Sequence, residues 1–409
     1  MWNSFIVKYT FVTLLIILNH SFFSFEFLGI SFGTLSQAMY IIYTLILYRS
    51  INKTVHKYWK YILLFFVYAL INTTLTRNSS SIEGFSFILN ALFYISLLFV
   101  LQYSLSVRTF VKLIAIIICI QVGVAFLELF CGFTFFTSWR SDRTLVFLGM
   151  TLVQVGSTAE DPNYLALNYL PIIPILVYLS NTTKFTRVYK QLRIIVFFLC
   201  ILTVLSEARA ASAIVIMIYC MFKAKGFIVK NALLLFSCFF ILVFSFSYLL
   251  YYNESFIFIK NFLEDDGSSR DRTMALIGAI NAFLNEPIVG VGSGNVVNYT
   301  ITLFDDTLKN DVALTSLNSY WGILSEFGLI GFLIICMIIT AGFKELRNVH
   351  IASKVKSVSD ISVYLTISFF AYLMMSFTLD GFFKPMFWIL ICLILTLSKM
   401  KLTANNKTI

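Results

Sequence analysis

Five arginines are the side chains best suited to hold an anion. Arg140 and Arg143 share one polar stretch, Arg209 sits in a short break between apolar runs, and Arg270 and Arg272 lie in the longest polar interruption, 253–320. A guanidinium stays charged and presents a planar fork of donors that grips phosphate or carboxylate oxygens two at a time. Preorganised donors of this kind contribute about 3–4 kcal/mol apiece where negative charge develops. Three carboxylates stand near them as candidate proton acceptors: Asp161 in Glu160-Asp161-Pro162-Asn163, Glu207 in Ser206-Glu207-Ala208-Arg209, and Glu326 in Glu326-Phe327-Gly328. Each also has a structural role open to it. Asp161 suits the cap of a helix starting near Asn163, Glu207 suits the counter-charge of Arg209, and Glu326 suits an orienter of backbone where the next helix begins. The choice among the three stays open at this level.

The elements that position these residues follow from composition. The 409 residues are 59% hydrophobic, 17% aromatic and only 12% charged, with mean hydropathy +0.88. That much apolar surface cannot be hidden inside a water-soluble core. Apolar runs fall at about 5–22, 33–48, 61–76, 85–104, 113–131, 163–180, 194–206, 210–222, 231–252, 321–341, 361–379 and 386–398. Many approach the ~20 residues needed to cross a bilayer, where the backbone must satisfy itself. The expected fold is an all-α polytopic membrane bundle of about twelve helices, one domain over 1–409 with a large loop at 253–320. The first run lacks a small-residue cleavage site and reads as a retained helix.

Basic residues orient it. Alternate loops hold 21 of the 30 lysines and arginines but only Glu345 and Asp360 of the 20 acids. Those loops and both termini are expected in the cytoplasm. The net charge of +10 is then a topological signature and does not indicate nucleic-acid binding. The nine basic residues left over, Arg77, Arg140, Arg143, Arg209, Lys260, Arg270, Arg272, Lys309 and Lys384, belong to the opposite face or the membrane. His56 and His350 fall on the cytoplasmic side and His20 sits alone in a short outer loop. The seven cysteines show no metal-ligand spacing and read as small buried hydrophobes.

Arg209 is recessed by this topology. Arg193 and Lys223 both belong in the cytoplasm, so the stretch between them is a hairpin whose arms of about 13 residues reach roughly 20 Å into a ~30 Å hydrocarbon layer. An arginine at that depth costs several kcal/mol unless it is paired or lines a wet cavity. In the 253–320 loop, Thr273 to Leu284 suits an amphipathic helix capped by Asp271, with Arg270 and Arg272 at its dipole-positive end. Gly290-Val291-Gly292-Ser293-Gly294 lacks the strand and acidic context of a nucleotide-binding loop. It reads as a tight turn returning the chain to the membrane.

Arg272, then Pro287-Ile288-Val289-Gly290-Val291-Gly292, Asn318-Ser319-Tyr320 and Glu326-Phe327-Gly328-Leu329-Ile330-Gly331, joined by Glu160-Asp161-Pro162-Asn163 and Ser206-Glu207-Ala208-Arg209, resemble the O-antigen polymerase and ligase superfamily of bacterial envelopes. The resemblance spans about 160–331. It implies a GT-C-like glycosyltransferase of the inner membrane, surrounded by membrane lipids. It would work at the periplasmic face on undecaprenyl-pyrophosphate-linked oligosaccharide, without metal or other cofactor. Arg209 and Arg272 are implied to bind the pyrophosphate, with Arg270, Arg140 and Arg143 able to converge on it. Asn163, Asn318, Tyr320 and Trp139 are expected on the substrate, Trp139 by stacking on a sugar. The trio Trp139, Arg140 and Arg143 also suits an interfacial belt. The ligase branch carries a histidine where this chain has Leu317, which favours a polymerase. The alternatives are a ligase joining polymer to lipid A core, and a flippase of the same lipid-linked sugars. The absence of an internal repeat speaks against the flippase. Docking of a polysaccharide chain-length regulator stays open.

Overall fold

The computed structural model describes residues 2–19, 26–27, 30–51, 58–76, 81–131, 144–147, 150–153, 162–182, 209–252, 267–303, 318–353 and 356–403. Within them the helices are α1 (Trp2–Leu18), α2 (Phe32–Ile51), α3 (Trp59–Leu75), α4 (Ser81–Tyr103), α5 (Val107–Cys131), α6 (Pro162–Tyr169), α7 (Ile172–Thr182), α8 (Arg209–Lys223), α9 (Lys225–Tyr252), α10 (Gly267–Asn285), α11 (Val296–Leu303), α12 (Ser319–Ala352), α13 (Lys356–Met375) and α14 (Pro385–Thr403). Eleven of the twelve expected apolar runs coincide with helices, 163–180 being split into α6 and α7 around Pro171. The twelfth, 194–206, lies outside the described residues.

Five described helices are long and apolar enough to cross a membrane: Ser86–Tyr103, Thr109–Cys131, Asn163–Asn181, Ser319–Ala352 and Val358–Met375. Shorter apolar helices, α14 among them, pack with these. The centre of the bundle is α14, where every residue from Met386 to Leu397 is buried. A helix apolar on all sides belongs inside a protein core or a membrane, and α1, α4, α5, α12 and α13 pack around this one. At the periphery, Ile42, Leu45 and Ile46 on α2 and Phe130 on α5 are exposed. In a membrane protein these are lipid-facing positions, and tight packing between helices supplies the specificity that hydrophobicity cannot.

Three features depart from the sequence reading. Two short antiparallel ribbons occur, Glu26–Phe27 with Ile30–Ser31 and Thr144–Phe147 with Met150–Val153; hydropathy windows are too long to register them. The loop helix begins at Gly267 and not near Thr273, so Asp271 is an internal residue of α10 and not its N-cap position. After the glycine turn a second helix, α11, packs on α10.

The third departure is a break inside α12. Gly328 has φ 62° and ψ −166°, dividing the helix in two. A broken helix strands backbone donors and acceptors that must find partners. The 287–294 segment supplies them. Val291 N–H bonds the Ser325 carbonyl and Gly292 N–H that of Glu326, each at 2.9 Å, while Leu329 N–H reaches Pro287 at 2.9 Å and Ile330 N–H reaches Ile288 at 3.2 Å. The Asn72 amide donates to the Val289 carbonyl at 2.7 Å, and the Tyr68 hydroxyl lies 2.9 Å from the Phe327 carbonyl. The glycine turn is thus a plug that completes a membrane helix.

Candidate functional site

The described candidates gather at one end of the bundle, opposite the end that carries Lys60, Lys223, Lys344 and Arg347. Asn318 caps α12, its side-chain oxygen accepting from Tyr320 N–H at 3.0 Å and Trp321 N–H at 3.3 Å. Ser319 and Tyr320 then reach across to the end of α13. Ser319 N–H bonds the Ser376 carbonyl at 3.0 Å, and its hydroxyl donates to the Leu379 carbonyl at 2.6 Å while accepting from Gly381 N–H. The Tyr320 hydroxyl donates to the Leu373 carbonyl at 3.1 Å, and its ring stacks on Phe377 at 4.0 Å. With Ser376, Phe377 and Thr378 closing back on Tyr372, Met374 and Met375, the last carbonyls of α13 are all satisfied.

This clamp fixes a charged turn, 376–384, that the sequence reading did not single out. Asp380 is half-buried in it. Desolvation raises its carboxyl to about 6, against a lowering by Lys384 four residues on. The Lys384 ammonium sits 4.2 Å from the centroid of the Tyr164 ring in the first turn of α6. The Tyr372 hydroxyl bonds the Gly381 carbonyl at 2.6 Å, which brings a phenol to the same turn. A signal existed: Asp380 and Lys384 are the only charges between Asp360 and Lys399. Lys384 stood among the nine unplaced basic residues, but the apolar run ended at 379 and hid its partner.

Arg209 opens α8, whose Phe222 contacts Tyr364 of α13 at 5.7 Å between ring centroids. From Phe222 back to Arg209 is roughly 20 Å of helix, and from Tyr364 forward to Met375 is roughly 16 Å. The last turn of α8 thus meets the middle of α13, and α8 also touches α6, whose Tyr164 lies at Lys384; α8 and α13 run antiparallel, and the Arg209 backbone starts near the level of the 376–384 turn. Arg270 and Arg272 lie in the first two turns of α10. The side chains of these three arginines, and Asp161, Glu207, Trp139, Arg140 and Arg143 altogether, lie outside the described residues.

Glu326 is engaged with the plug, accepting from Gly294 N–H at 3.2 Å through Oε1. Asn163 is the second residue of α6, beside Tyr164. Tyr320 is 1% exposed, so what it supplies from that position is the placement of the charged turn. Alanine at Ser319 is expected to strand the buried Gly381 N–H and to leave the Leu379 carbonyl only the 3.2 Å bond from the Ser319 N–H, lowering stability by about 1–3 kcal/mol. Thermal unfolding of detergent-solubilised protein measures it, and an unchanged transition would contradict the clamp.

Chemically, the arrangement offers a carboxyl of raised basicity, an ammonium and a helix start bearing arginine at one end of a membrane bundle. Residues 194–336 match a protein family described as O-Antigen ligase, a segment that runs from the Arg209 helix through the plug and into the second half of α12. The match supports the resemblance to the O-antigen polymerase and ligase superfamily. Comparison with curated proteins gives no match.

Proposed function

From the O-antigen ligase match over 194–336, we propose that this membrane protein is a glycosyltransferase of the polymerase kind. It moves a growing glycan from undecaprenyl pyrophosphate onto the end sugar of an incoming lipid-linked repeat unit at the periplasmic face. The acceptor oxygen attacks the anomeric carbon, the bond to the pyrophosphate oxygen breaks, and undecaprenyl pyrophosphate departs with both electrons of that bond. The acceptor proton passes to a carboxylate. Arg209 and Arg272, with Arg270, hold the pyrophosphate where charge develops; Trp139, Arg140, Arg143 and Asn163 serve the sugars.

Asp380 joins Asp161, Glu207 and Glu326 as the acceptor of that proton. Its support is its place: a rigid turn at the level of Arg209, beside Lys384 and Tyr164. A base works as carboxylate, and a pKa near 6 keeps it ionised but basic at neutral pH. The rate is expected to fall as pH drops through about 6. Asp380→Asn should lower it about a hundred-fold or more and erase that limb. Lys384→Met removes the charge that holds the carboxyl down and should move the limb to higher pH. A limb that stays in place in both variants would remove Asp380 from the mechanism.

The match is to a family described as O-Antigen ligase, which keeps the ligase as the second reading; Leu317, where the ligase branch carries histidine, supports the polymerase. Lipopolysaccharide gels from a deletion strain decide it. Loss of the ladder with one repeat retained means polymerase, whereas bare core means ligase.

A further inference from the structure

Between the end of α3 and the 286–299 segment runs an open cleft of about 720 Å³. Ile71, Leu75 and Val289 give it apolar surface, and Asn72, Asn295 and Asn298 also line it. Asn72 is 5% exposed. Its amide nitrogen is committed to the Val289 carbonyl, yet its buried Oδ1 has no hydrogen-bond partner among the described residues. A buried carbonyl oxygen left without a donor costs about 1–3 kcal/mol. Asn72 therefore borders the cleft with its amide nitrogen held by the plug and its oxygen buried behind the surface. Asn298 is exposed along the same cleft, and Tyr68 and Tyr299 add aromatic surface.

The lining chemistry selects the occupant. Among the described residues along it Glu286 is the only charged one, so a diphosphate there would meet negative charge. A hydrocarbon tail would offer the exposed Asn298 carboxamide no partner. Carboxamides both give and accept hydrogen bonds, as hydroxyl groups do, and tyrosine faces suit the apolar face of a ring. We propose that this cleft is a binding subsite for uncharged, hydroxyl-bearing sugar residues of a glycan. The proposal rests on the glycosyltransferase reading for the source of the sugar. Seven residues of α12, roughly 10 Å, separate Ser319 at the charged turn from Glu326 at the plug. A chain of a few sugars bridges the two.

The test uses the full-length protein in nanodiscs and, as probe, the lipid-free and phosphate-free oligosaccharide released by mild acid from the source organism's surface polysaccharide. Saturation-transfer NMR is expected to show binding to the unaltered protein. Asn298→Ala should weaken it about ten-fold, and Asn298→Trp, which fills the cleft from an exposed position, should abolish it. Equal binding by the unaltered and Asn298→Trp proteins, or none by the unaltered protein at millimolar probe, overturns the proposal. So does release of co-purified lipid by Asn298→Trp with no change in sugar binding. Should Asn298→Trp fold poorly, Asn298→Ala alone decides by the same comparison. Sugar binding at the cleft by a protein that forms no polymer would remove the polymerase reading and leave the subsite standing.

Discussion

Alanine in place of Arg272 or Arg209 is expected to abolish chain extension while the protein stays in the membrane at its normal level. Each guanidinium aimed at the departing pyrophosphate contributes about 3–4 kcal/mol, a loss on the order of a hundred- to a thousand-fold in rate. Lysine at either position should restore only part of it, because a point charge does not reproduce a fork that holds two oxygens at once. If both arginines act on one pyrophosphate, the double variant should lose less than the product of the single losses. Polymer formation by purified protein from lipid-linked repeat units reads all of these. Normal long polysaccharide from either alanine variant would refute the assignment of that arginine.

The second large effect belongs to the plug. Gly328→Ala places a β-carbon against the Ile288 carbonyl, and Gly290→Ala places one against the Glu326 carbonyl and Gly328 nitrogen. The obstruction is backbone on both sides, so no side-chain rotation relieves it. Both residues also have positive φ, 62° and 80°, which costs an L-residue roughly 1–2 kcal/mol. Added to overpacking of about 1–3 kcal/mol, the expected loss exceeds that of most point substitutions. Gly123→Ala is the control, since a β-carbon there meets nothing within 4 Å and alanine favours the helix. Thermal unfolding and membrane yield of the three variants should separate two collapsed proteins from one that is unchanged or slightly steadier. A Gly328→Ala protein as stable as the control would contradict the plugged break.

Particular residues show how far the chain can be read. The helices emerged close to their expected places because hydropathy acts locally, within windows of about twenty residues that must span lipid. Asn318-Ser319-Tyr320 stood out as a motif, but its work did not. Its partners at 373–381 lie 53 to 62 positions along the chain, and only packing of α12 on α13 brings them together. Asp380 was passed over for the same reason. A single acid at the end of an apolar run has no distinctive spacing, and its raised basicity comes from burial, which only the fold imposes. The glycine turn was legible as a turn; that it repairs a helix 38 residues downstream was not.

By itself the sequence determined that lipid is the solvent, where the helices run and which side chains could carry fixed positive charge, because these depend on the transfer energies and ionisation of individual residues. The tertiary structure alone decided that α12 breaks at Gly328 and is mended by 287–294, and that Asp380 is held at the level of Arg209. It also decided that an unsatisfied Asn72 lines an open cleft. These depend on which backbone groups meet across long stretches of chain, where each buried donor or acceptor must find its counterpart.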